Sequence, residues 1–380
     1  MFGAMHKPTA IGNQAYQKAV NVALIMRTIR AHPGISRTEI AADTGLTKST
    51  VTNLVRNLLD QNLVEQIEAR VDRPAGRPRV GLCLSHNNAA VVGVELRTTG
   101  VAMVSLGLDG APRVQQKRFD RDASMHLIDA WRIAESMLTD LAPRGLLGVG
   151  VAVPATTDPY RGVVVESEDA MLRNFSLHQI AVGTAEHPVL LENDANAVAW
   201  GAVSEERRSG GGGRINVMAV TGRFFPDDGT LRIGTGIVVD DRVYYGSDFG
   251  AGEFRSAAWR RGMSGELVTQ ADADGPRACL IEMLESLSVA ASMLHPKRII
   301  VAGDLVQYHG MITDVLTNEL TGAFIDPEVS GAPIVPAPRA VYAVAAGAAD
   351  MFLEHLFEIP SVERTRPMGM PRWQDLSPVA

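Results

Sequence analysis

The 380-residue sequence has little cysteine and no long apolar run. Its two cysteines, Cys83 and Cys279, are too few for a disulfide framework or a cysteine-rich zinc site. No run of about 18 apolar residues is present, and no charged segment followed by an apolar one opens the chain, so neither a membrane span nor a signal peptide is indicated. These absences favour a soluble globular protein of the reducing cytoplasm.

Motifs for phosphate and metal chemistry are also scarce. The glycines at 210–213 are not followed by Lys-Ser or Lys-Thr, so they indicate a connection rather than a phosphate loop. The nine histidines have no spacing typical of metal ligands. Cys83 and Cys279 lie in apolar surroundings and are interpreted as core residues, not nucleophiles.

Positive charge is concentrated at the front of the chain. Residues 1–80 carry 11 Lys and Arg against 6 Asp and Glu, a net charge of +5. The remainder carries 25 against 37, a net charge of −12. This asymmetry favours a polyanionic partner at the front and disfavours one elsewhere.

The front of the chain is typical of a helix-turn-helix. Apolar residues at Val22, Ile25, Met26 and Ile29 predict a first helix. Residues 36–61 then predict two short helices around a turn. Ser36 and Glu39 have the spacing of a capping box, Gly45 suits a turn with positive φ, and Thr47 suits the start of the third helix. That helix has an apolar stripe of Val51, Leu54, Val55, Leu58 and Leu59.

Two strand-like runs around an arginine-rich tip follow at 63–84 and predict a wing, whose extended arginines suit a narrow minor groove. The same pattern can also arise from two packed helices that do not bind DNA. Three helices, a basic wing and local positive charge together favour double-stranded DNA as a partner. Arg56 can equally face solvent, and Lys48 can touch phosphate rather than base. The candidate DNA-contacting residues are Arg37, Lys48, Ser49, Thr50, Thr52, Asn53, Arg56, Arg73, Arg77 and Arg79.

The rest of the chain predicts an α/β fold. Residues 91–106 indicate two apolar strands around a polar turn, and residues 214–245 indicate a second such pair. Amphipathic helices lie between, one with a stripe from Leu127 to Leu141 and a long one at 276–294. Two halves that each begin with a hairpin suggest a duplicated architecture with a cleft. The segment after Pro360 is rich in proline and polar residues and is expected to be loosely ordered.

The order of these motifs resembles the ROK family (repressors, open reading frames and kinases) over nearly the whole chain. The winged helix is followed by a hairpin, by "ENDANA" at 192–197, by a "GTGI" turn at 234–237 and by "GAGE" at 250–253. The resemblance implies a two-lobed actin-like, ribonuclease-H-like domain of the sugar-kinase type behind the winged helix-turn-helix. Family members with such a head are sugar-responsive transcriptional regulators, and those without it are mostly sugar kinases.

The phosphate-binding elements of the family's kinases are altered here. The D-x-G-G-T hairpin corresponds to "ELRTT", in which Leu96 precedes Arg97 and Thr98 and only Thr99 matches. The second element carries extra residues, and the third places Asp304 near the nucleotide position. Three altered elements argue against ATP binding, and the chain is predicted not to be an enzyme and to need no cofactor.

By resemblance, five residues correspond to sugar-contacting positions: Asn174, Asn193, Asp194, Glu253 and Ser256. Asp194 matches the kinases' general base, although a helix cap explains Asn193 and Asp194 as well. Ser256 replaces a family histidine that holds zinc and touches sugar, so an ordinary hexose is expected to bind poorly.

The family's zinc-binding cysteines are also replaced, here by Trp259, Arg261 and Glu266. Tryptophan and arginine are not zinc ligands, so no metal is expected. Arg261 and Glu266 are instead hypothesised to form an ion pair that braces the loop.

The expected domains are a winged helix-turn-helix at 15–84, a first lobe at 88–190 completed by a helix at 341–357, a second lobe with a dimerisation surface at 191–340, and a tail at 361–380. Three functions remain open. The first is a transcriptional regulator, more readily a repressor, that works as a homodimer or higher homo-oligomer and responds to a sugar-like effector. The others are a sugar kinase with a fused DNA-binding domain and a DNA-binding dimer insensitive to small molecules.

Overall fold

The fold is described from a computed structural model. The described residues are 14–68, 80–120, 125–141, 145–167, 170–176, 187–225, 230–254, 256, 267–268, 275–320, 333–361 and 366–376. Within these ranges, no helix combines the length and the apolar character that crossing a membrane requires.

The N-terminal head is a three-helix unit followed by a two-stranded hairpin. Its helices are packed through the apolar stripes that the sequence predicted, and Ile25, Met26 and Ile40 are fully buried. Strands β1 and β2 pair antiparallel, with Val64 opposite Leu84. The elements are α1 Gln14–Ala31, α2 Arg37–Thr44, α3 Lys48–Asp60, β1 Val64–Glu68 and β2 Val80–Leu84.

The local signals that define the head helices are confirmed. Ser36 caps α2, since its hydroxyl accepts from the backbone N–H of Glu39 at 3.4 Å, and the Glu39 carboxylate accepts from the Ser36 N–H at 2.9 Å. Gly45 ends α2 with φ of 70°, a conformation that glycine adopts without steric cost. Thr47 caps α3 by accepting from the Thr50 N–H at 3.2 Å.

The body that follows alternates strands and helices, as predicted. In chain order its elements are β3 Ala90–Arg97, β4 Gly100–Gly107, β5 Pro112–Phe119, α4 Leu127–Leu141, β6 Leu146–Val153, β7 Thr156–Asp158, β8 Val163–Ser167, β9 Leu172–Ser176, β10 Val189–Asn193, α5 Asp194–Arg208, β11 Val217–Phe225, β12 Thr230–Val239, β13 Arg242–Val243, β14 Leu267–Val268, α6 Gly275–Leu294, β15 Arg298–Gly303, α7 His309–Asn318, β16 Ile334–Pro336 and α8 Ala343–Phe357.

Two larger sheets form the body. The first has the order β10-β6-β3-β4-β5, with β3 antiparallel to β4 and parallel to β6. The second has the order β13-β12-β11-β15-β16, with β14 beside β12 and with β11 antiparallel to β12 and parallel to β15. Each sheet thus begins with three consecutive antiparallel strands and continues with two parallel ones. This is the duplicated arrangement that the sequence suggested.

Helices α5 and α8 lie between the two sheets. Helix α8 packs on β3, β4 and β6, whereas α5 packs on β11 and β12, and the two helices pack against each other. The helix–helix approach is close, because a Cβ atom added at Gly347 would lie 1.9 Å from the Ala197 carbonyl oxygen. On the opposite face of the first sheet, α4 buries the predicted stripe that includes Leu127, Trp131 and Leu138.

The segment expected to form a "GTGI" turn is a strand instead. Residues 234–237 lie within β12, where Gly236 pairs with Ala219 of β11. A Cβ atom at Gly236 would lie 2.1 Å from the Ala195 carbonyl oxygen, so the glycine allows the N-terminus of α5 to approach the strand. The predicted turn is therefore wrong, and close packing is the structural role of Gly236.

The C-terminal segment is packed, not loosely ordered as expected, over residues 366–376. Trp373 is 2% exposed and packs edge-to-face on Phe357, with ring centroids 5.0 Å apart. The turn Trp373–Asp375 contacts α1, and Gln61 of the head donates to the Leu376 carbonyl oxygen at 3.4 Å. One apolar cluster consequently runs from the head core through Trp373 into α8. Burial of the Trp373 side chain thus orders this segment despite its prolines.

Candidate functional site

The exposed side of α3 is polar and basic. Lys48, Ser49, Thr52, Asn53 and Arg56 are exposed, whereas the opposite side of the helix is buried in the head core. The first turn of α3 contains no acidic residue, so the partial positive charge of the helix N-terminus stays available to a phosphate. This combination is typical of a recognition helix in the major groove.

The remaining candidate DNA contacts differ in position. Arg37 is the first residue of α2 and is half-buried, and Thr50 is half-buried with its hydroxyl 2.8 Å from that of Thr47. The hydroxyl and the backbone N–H of Thr50 are thus both bound to the Thr47 hydroxyl, the cap of α3. Arg73, Arg77 and Arg79 lie outside the described residues, although the β1–β2 hairpin that carries the tip is present. All these contacts stay predictions.

A cleft with a volume of about 250 Å³ lies between the two sheets. Residues from the end of β3, the β6–β7 connection, β8, the start of α5, β11, β12, the segment 249–254 and the start of α8 line it. Among the side chains in the lining are Arg97, Thr156, Glu166, Asn193, Asp194, Arg223, Arg232, Phe249, Glu253 and Val344.

Asn193 and Asp194 stand at the junction of β10 and α5, where a helix cap forms and where both residues line the cleft, while their contact with a sugar stays a prediction. Asn193 is the cap of α5, since its Oδ1 accepts from the Asn196 N–H at 3.0 Å, while its Nδ2 donates to the Ala155 carbonyl oxygen at 3.0 Å. Asp194 is the first residue of α5 and lines the cleft. The cap orients the helix start and thereby places the Asp194 carboxylate.

The Asp194 carboxyl group is buried, and burial raises its pKa to about 6. Its Oδ2 lies 3.8 Å from the Arg223 Nη2, and the charge of this guanidinium opposes the rise. A carboxyl with such a pKa can accept a hydrogen bond from a ligand hydroxyl when ionised and donate one when protonated.

Glu192 holds the same junction from behind. It is 1% exposed and accepts hydrogen bonds from the Asn193 N–H at 2.7 Å, the Asn196 side-chain amide at 3.0 Å and the Tyr245 hydroxyl at 2.6 Å. Burial raises the pKa of Glu192, and these hydrogen bonds oppose the rise. Glu192 therefore positions the cleft residues without lining the cleft.

Glu253 reaches the cleft from the segment after β13. It accepts a hydrogen bond from the Thr156 hydroxyl, and its backbone bridges to Gly234 of β12. Asn193, Asp194 and Glu253, predicted from distant parts of the sequence, thus line one cavity with Thr156 as a further hydroxyl.

The structure places the other two predicted effector residues away from the cleft lining. Asn174 is exposed on β9 with φ of 48°. Ser256 is 7% exposed, and its hydroxyl donates to the Glu282 carboxylate of α6. Asn174 follows a turn at residues 170–171, and Ser256 is bound to Glu282, a residue distant in sequence, so the sequence pattern revealed neither position. A role of either residue in binding stays a prediction.

The structure describes the altered phosphate element at the end of β3 but not the residues that replace the zinc-binding cysteines. Arg97 donates to the buried Glu95 carboxylate, so side chains occupy the end of β3 where the kinases of the family have glycines. Among the described residues no group of three or more His, Cys, Asp or Glu has the arrangement of a metal site. Trp259, Arg261 and Glu266 lie outside the described residues, and their expected ion pair and zinc loss stay predictions.

Sequence reasoning missed the contribution of the β11–β12 hairpin to the cleft. Arg223 and Arg232 both line it and are direct cross-strand partners. Phe249, with φ of 66°, was missed as well. A sequence-based prediction finds this arginine pair only if it begins β12 at Thr230, because the register of β11 and β12 then places Arg223 opposite Arg232.

Comparisons with known proteins agree with this architecture. The model of the MarR family matches residues 20–73. The xylose repressor of Caldicellulosiruptor bescii is 27% identical over 253 residues, which make up 64% of this chain and 59% of that repressor. The chain thus spans about three fifths of the length of this relative.

Solved structures show the same fold. A ROK family transcriptional regulator, a homologue of the E. coli MLC protein, superposes with a TM-score of 0.64 at 16% identity, over 88% of this chain and 96% of that one. A ROK family glucokinase from Streptomyces griseus, in complex with glucose and AMPPNP, gives a TM-score of 0.54 at 18% identity. The superposition covers 69% of this chain and 99% of the glucokinase. The expected resemblance is confirmed: a MarR-type helix-turn-helix precedes a body with the sugar-kinase-like ROK fold.

Proposed function

We propose that this protein is a DNA-binding transcriptional repressor whose operator affinity is controlled by a small sugar-like effector bound in the cleft between the two sheets. The similarity to a xylose repressor supports a repressor of this kind. The exposed face of α3 is the proposed DNA contact, and Asn193, Asp194 and Glu253 are the proposed effector contacts. The proposed partner is double-stranded DNA, and the proposed location is the cytoplasm.

One helix joins the two proposed sites, and this observation carries the proposal. Helix α8 begins at the cleft, where Val344 is part of the lining, and ends at the head, where Glu354 pairs with Arg30 of α1 at 2.5 Å. The Arg30 guanidinium also lies 4.4 Å from the centre of the Phe357 ring. A helix of 15 residues is about 22 Å long and moves as a rigid element.

Effector binding is proposed to act through this helix. A ligand held by Asp194 of α5 and by Glu253, whose backbone bridges to β12, changes the preferred distance between the two sheets, and α8 follows because it packs on α5. The opposite end of α8 then shifts the head through Arg30 and Trp373. The coupling free energy is the difference in effector affinity between the two arrangements.

The Glu95–Arg97 pair supports a regulator rather than a kinase. A phosphate loop needs backbone N–H groups that an anion can approach, and glycines permit that approach. This chain has the side chains of Arg97 and Thr98 at the two positions where the D-x-G-G-T pattern has glycines. We expect no sugar-dependent ATP consumption in a coupled assay, and measurable turnover would contradict the proposal.

A homodimer is part of the proposal because operator recognition by helix-turn-helix proteins commonly uses two half-sites. Two heads related by a two-fold axis would contact half-sites about 34 Å apart, or a multiple of that distance. Arg73, Arg77 and Arg79 are proposed to reach the adjacent minor groove.

The test begins with selection of duplexes from a random library by the full chain, followed by anisotropy titration of the enriched sequence. Asn53→Ala is expected to weaken binding about tenfold or more, because a bidentate base contact is lost. Arg132→Ala, an exposed position on α4, is the matched control and should leave binding unchanged.

Control by a sugar is tested next, by adding D-xylose, D-glucose and their acid and phosphate derivatives to the protein–DNA complex. Release of DNA by any of them supports the proposal. Failure of the library to enrich a sequence, or equal enrichment by the Asn53→Ala variant, would overturn the DNA-binding assignment. Enrichment without any release would overturn effector control alone.

A further inference from the structure

Phe249 lines the cleft in a backbone conformation that phenylalanine rarely adopts. Its φ is 66°, in the left-handed region where a side chain meets steric repulsion and which glycine favours. Such a residue costs conformational free energy and persists where the surrounding structure fixes it, often at a binding site. We propose that Phe249 determines effector specificity: its ring is the wall against which a cyclic sugar places the C–H groups of one face.

Two tyrosines hold the Phe249 ring in place. Its centre lies 5.9 Å from that of Tyr245 and 6.2 Å from that of Tyr160, and the two tyrosine rings are 5.9 Å apart. The planes meet at 48° to 72°, the tilted and edge-to-face geometries that aromatic rings prefer. Because neither tyrosine belongs to the cleft lining, both pack on the side of Phe249 that is turned away from the cavity. The other side of the ring is left for a ligand.

Core packing does not account for this ring. Phe254, the other phenylalanine in the lining, packs against the apolar cluster of the second sheet. Phe249 belongs to none of the three apolar clusters that the described residues form, and it is half-buried. Its strained placement is therefore better explained by the cavity than by the core.

The ring and the proposed hydroxyl-binding residues are fixed to one carboxylate. The Tyr245 hydroxyl donates to Glu192 at 2.6 Å, and Glu192 accepts from the Asn193 N–H at 2.7 Å. The segment that carries Phe249 is closed by the Ala251 N–H, which donates to the Tyr245 carbonyl oxygen at 3.1 Å. The aromatic wall is thus held in a set position relative to Asn193.

This combination suits a cyclic sugar. The face of an aromatic ring carries partial negative charge and attracts the weakly positive C–H groups on one face of a pyranose ring. Asn193, Asp194 and Glu253 supply donors and acceptors for the hydroxyl groups at the edge of that ring. An open-chain alditol offers similar hydroxyl groups but no fixed apolar face, and it loses more conformational freedom on binding. The cleft is therefore expected to select the ring over the open chain.

This inference rests on the proposed effector role of the cleft, and calorimetric titration of the full chain tests it with matched ligands. D-xylose is compared with xylitol, D-glucose with D-glucitol, and D-galactose with galactitol. All six are uncharged, so the comparison isolates the ring. We expect the sugar that binds best to bind at least about tenfold more tightly than its alditol.

Variants of Phe249 connect this preference to the aromatic face. Phe249→Leu keeps an apolar side chain without that face and should weaken binding of the preferred sugar roughly three- to tenfold, with little change for the alditol. Phe249→Gly, which suits a positive φ, is a second variant without the ring. Phe249→Tyr keeps the face and should retain most of the affinity.

Tyr244→Leu is the matched control, since it replaces an aromatic side chain of the same segment that is 55% exposed and outside the cleft lining. Sugar affinity should be unchanged in this variant. A thermal melt of each variant without ligand establishes that it folds.

Equal affinity for each sugar and its alditol would overturn the inference, as would an unchanged preference in Phe249→Leu and Phe249→Gly. Either result leaves the proposed regulator intact. Equal losses in Phe249→Leu and Tyr244→Leu would also overturn it, because the effect would then not come from the cleft. If no sugar or alditol binds and DNA binding persists, effector control itself fails, and the inference fails with it.

Discussion

The head and the cleft are built in different ways. The head uses one continuous stretch of chain, and each of its helices begins or ends at a residue with a recognisable local role, such as Ser36, Gly45 and Thr47. The cleft collects residues from Arg97 to Val344, from both sheets and two helices. Its side chains include a buried carboxyl with a raised pKa and a like-charged cross-strand pair.

The two regions therefore differ in the interactions that stabilise them. In the head, polar groups are satisfied by neighbours in sequence, so folding and recognition use opposite faces of the same helices. In the cleft, the unfavourable burial of the Asp194 carboxyl is tolerated because the surrounding sheets hold this group in place. A ligand can recover that free energy, whereas the head offers no comparable reserve. The comparison can be sharpened by substitutions at the junction, in the cleft and in the head.

The largest effect is expected at the junction of the two regions. Trp373→Ala removes a buried indole that packs on Phe357 near α1, at a cost of about 3 to 5 kcal/mol in the free energy of unfolding. Chemical denaturation of the full chain measures this loss. A separate early transition for the head should also appear, because the apolar cluster that joins head and body is interrupted.

Leu376→Ala, in the same segment but with a smaller side chain, is the graded control and should have the smaller effect. A Trp373→Ala protein as stable as the wild type would mean that the C-terminal segment contributes no stability to the junction.

The next effect concerns pH and the cleft. Because the pKa of Asp194 is raised from 3.8 to about 6 on folding, the folded state holds this proton more tightly than the unfolded state. Its stabilising contribution is present below pH 3.8 and is lost as the pH rises to 6, with a change of roughly 3 kcal/mol. Urea titrations from pH 4 to 7 should show this change in the wild type relative to Asp194→Asn.

Asp129→Asn removes an exposed carboxylate on α4 and serves as the control for this experiment. If wild type and Asp194→Asn change in parallel over the whole range, the buried carboxyl does not titrate as described.

A third, intermediate effect is expected where the two central helices touch. Gly347→Ala would place a Cβ atom 1.9 Å from the Ala197 carbonyl oxygen, so α5 and α8 must separate, at a cost of about 2 kcal/mol. The separation also displaces Asp194, and the effector response should weaken. The free energy of unfolding and the ligand-induced shift in melting temperature measure the two consequences.

Gly310→Ala in α7 is the matched control, since no atom lies within 4 Å of its added Cβ. This change should raise stability slightly, because alanine favours the helix. An unchanged free energy of unfolding in Gly347→Ala would mean that α5 and α8 can accommodate the added methyl group without separating.

The smallest effect is expected in the head. Ser36→Ala removes the hydroxyl that accepts from Glu39 and should cost about 1 kcal/mol, without changing the cleft. Effector affinity should be unaltered while the melting temperature falls. Ser136→Ala, an exposed hydroxyl within α4, should not lower the melting temperature. Equal losses in both serine variants would contradict a specific role of the cap.

Much of the fold was predictable, and the residues indicate why. The stripe of α4, the hairpin at 91–106 and the caps of the head depend on side chains within a few positions of each other, and all are confirmed. The "GTGI" segment was misplaced because a glycine needed for close packing has the same appearance in sequence as one needed for a turn. The C-terminal segment was misjudged because the burial of Trp373 depends on α8 and α1, which are distant in sequence.

By itself, the sequence determined the helix-turn-helix, the α/β alternation and three residues of the cleft, because periodicity and capping are properties of short stretches. The tertiary structure decided the rest. It alone placed Asn174 and Ser256 outside the cleft, brought Arg223 opposite Arg232, and joined the cleft to the head through α8. Those outcomes depend on strand register and on contacts between distant segments, in which many weak interactions are summed.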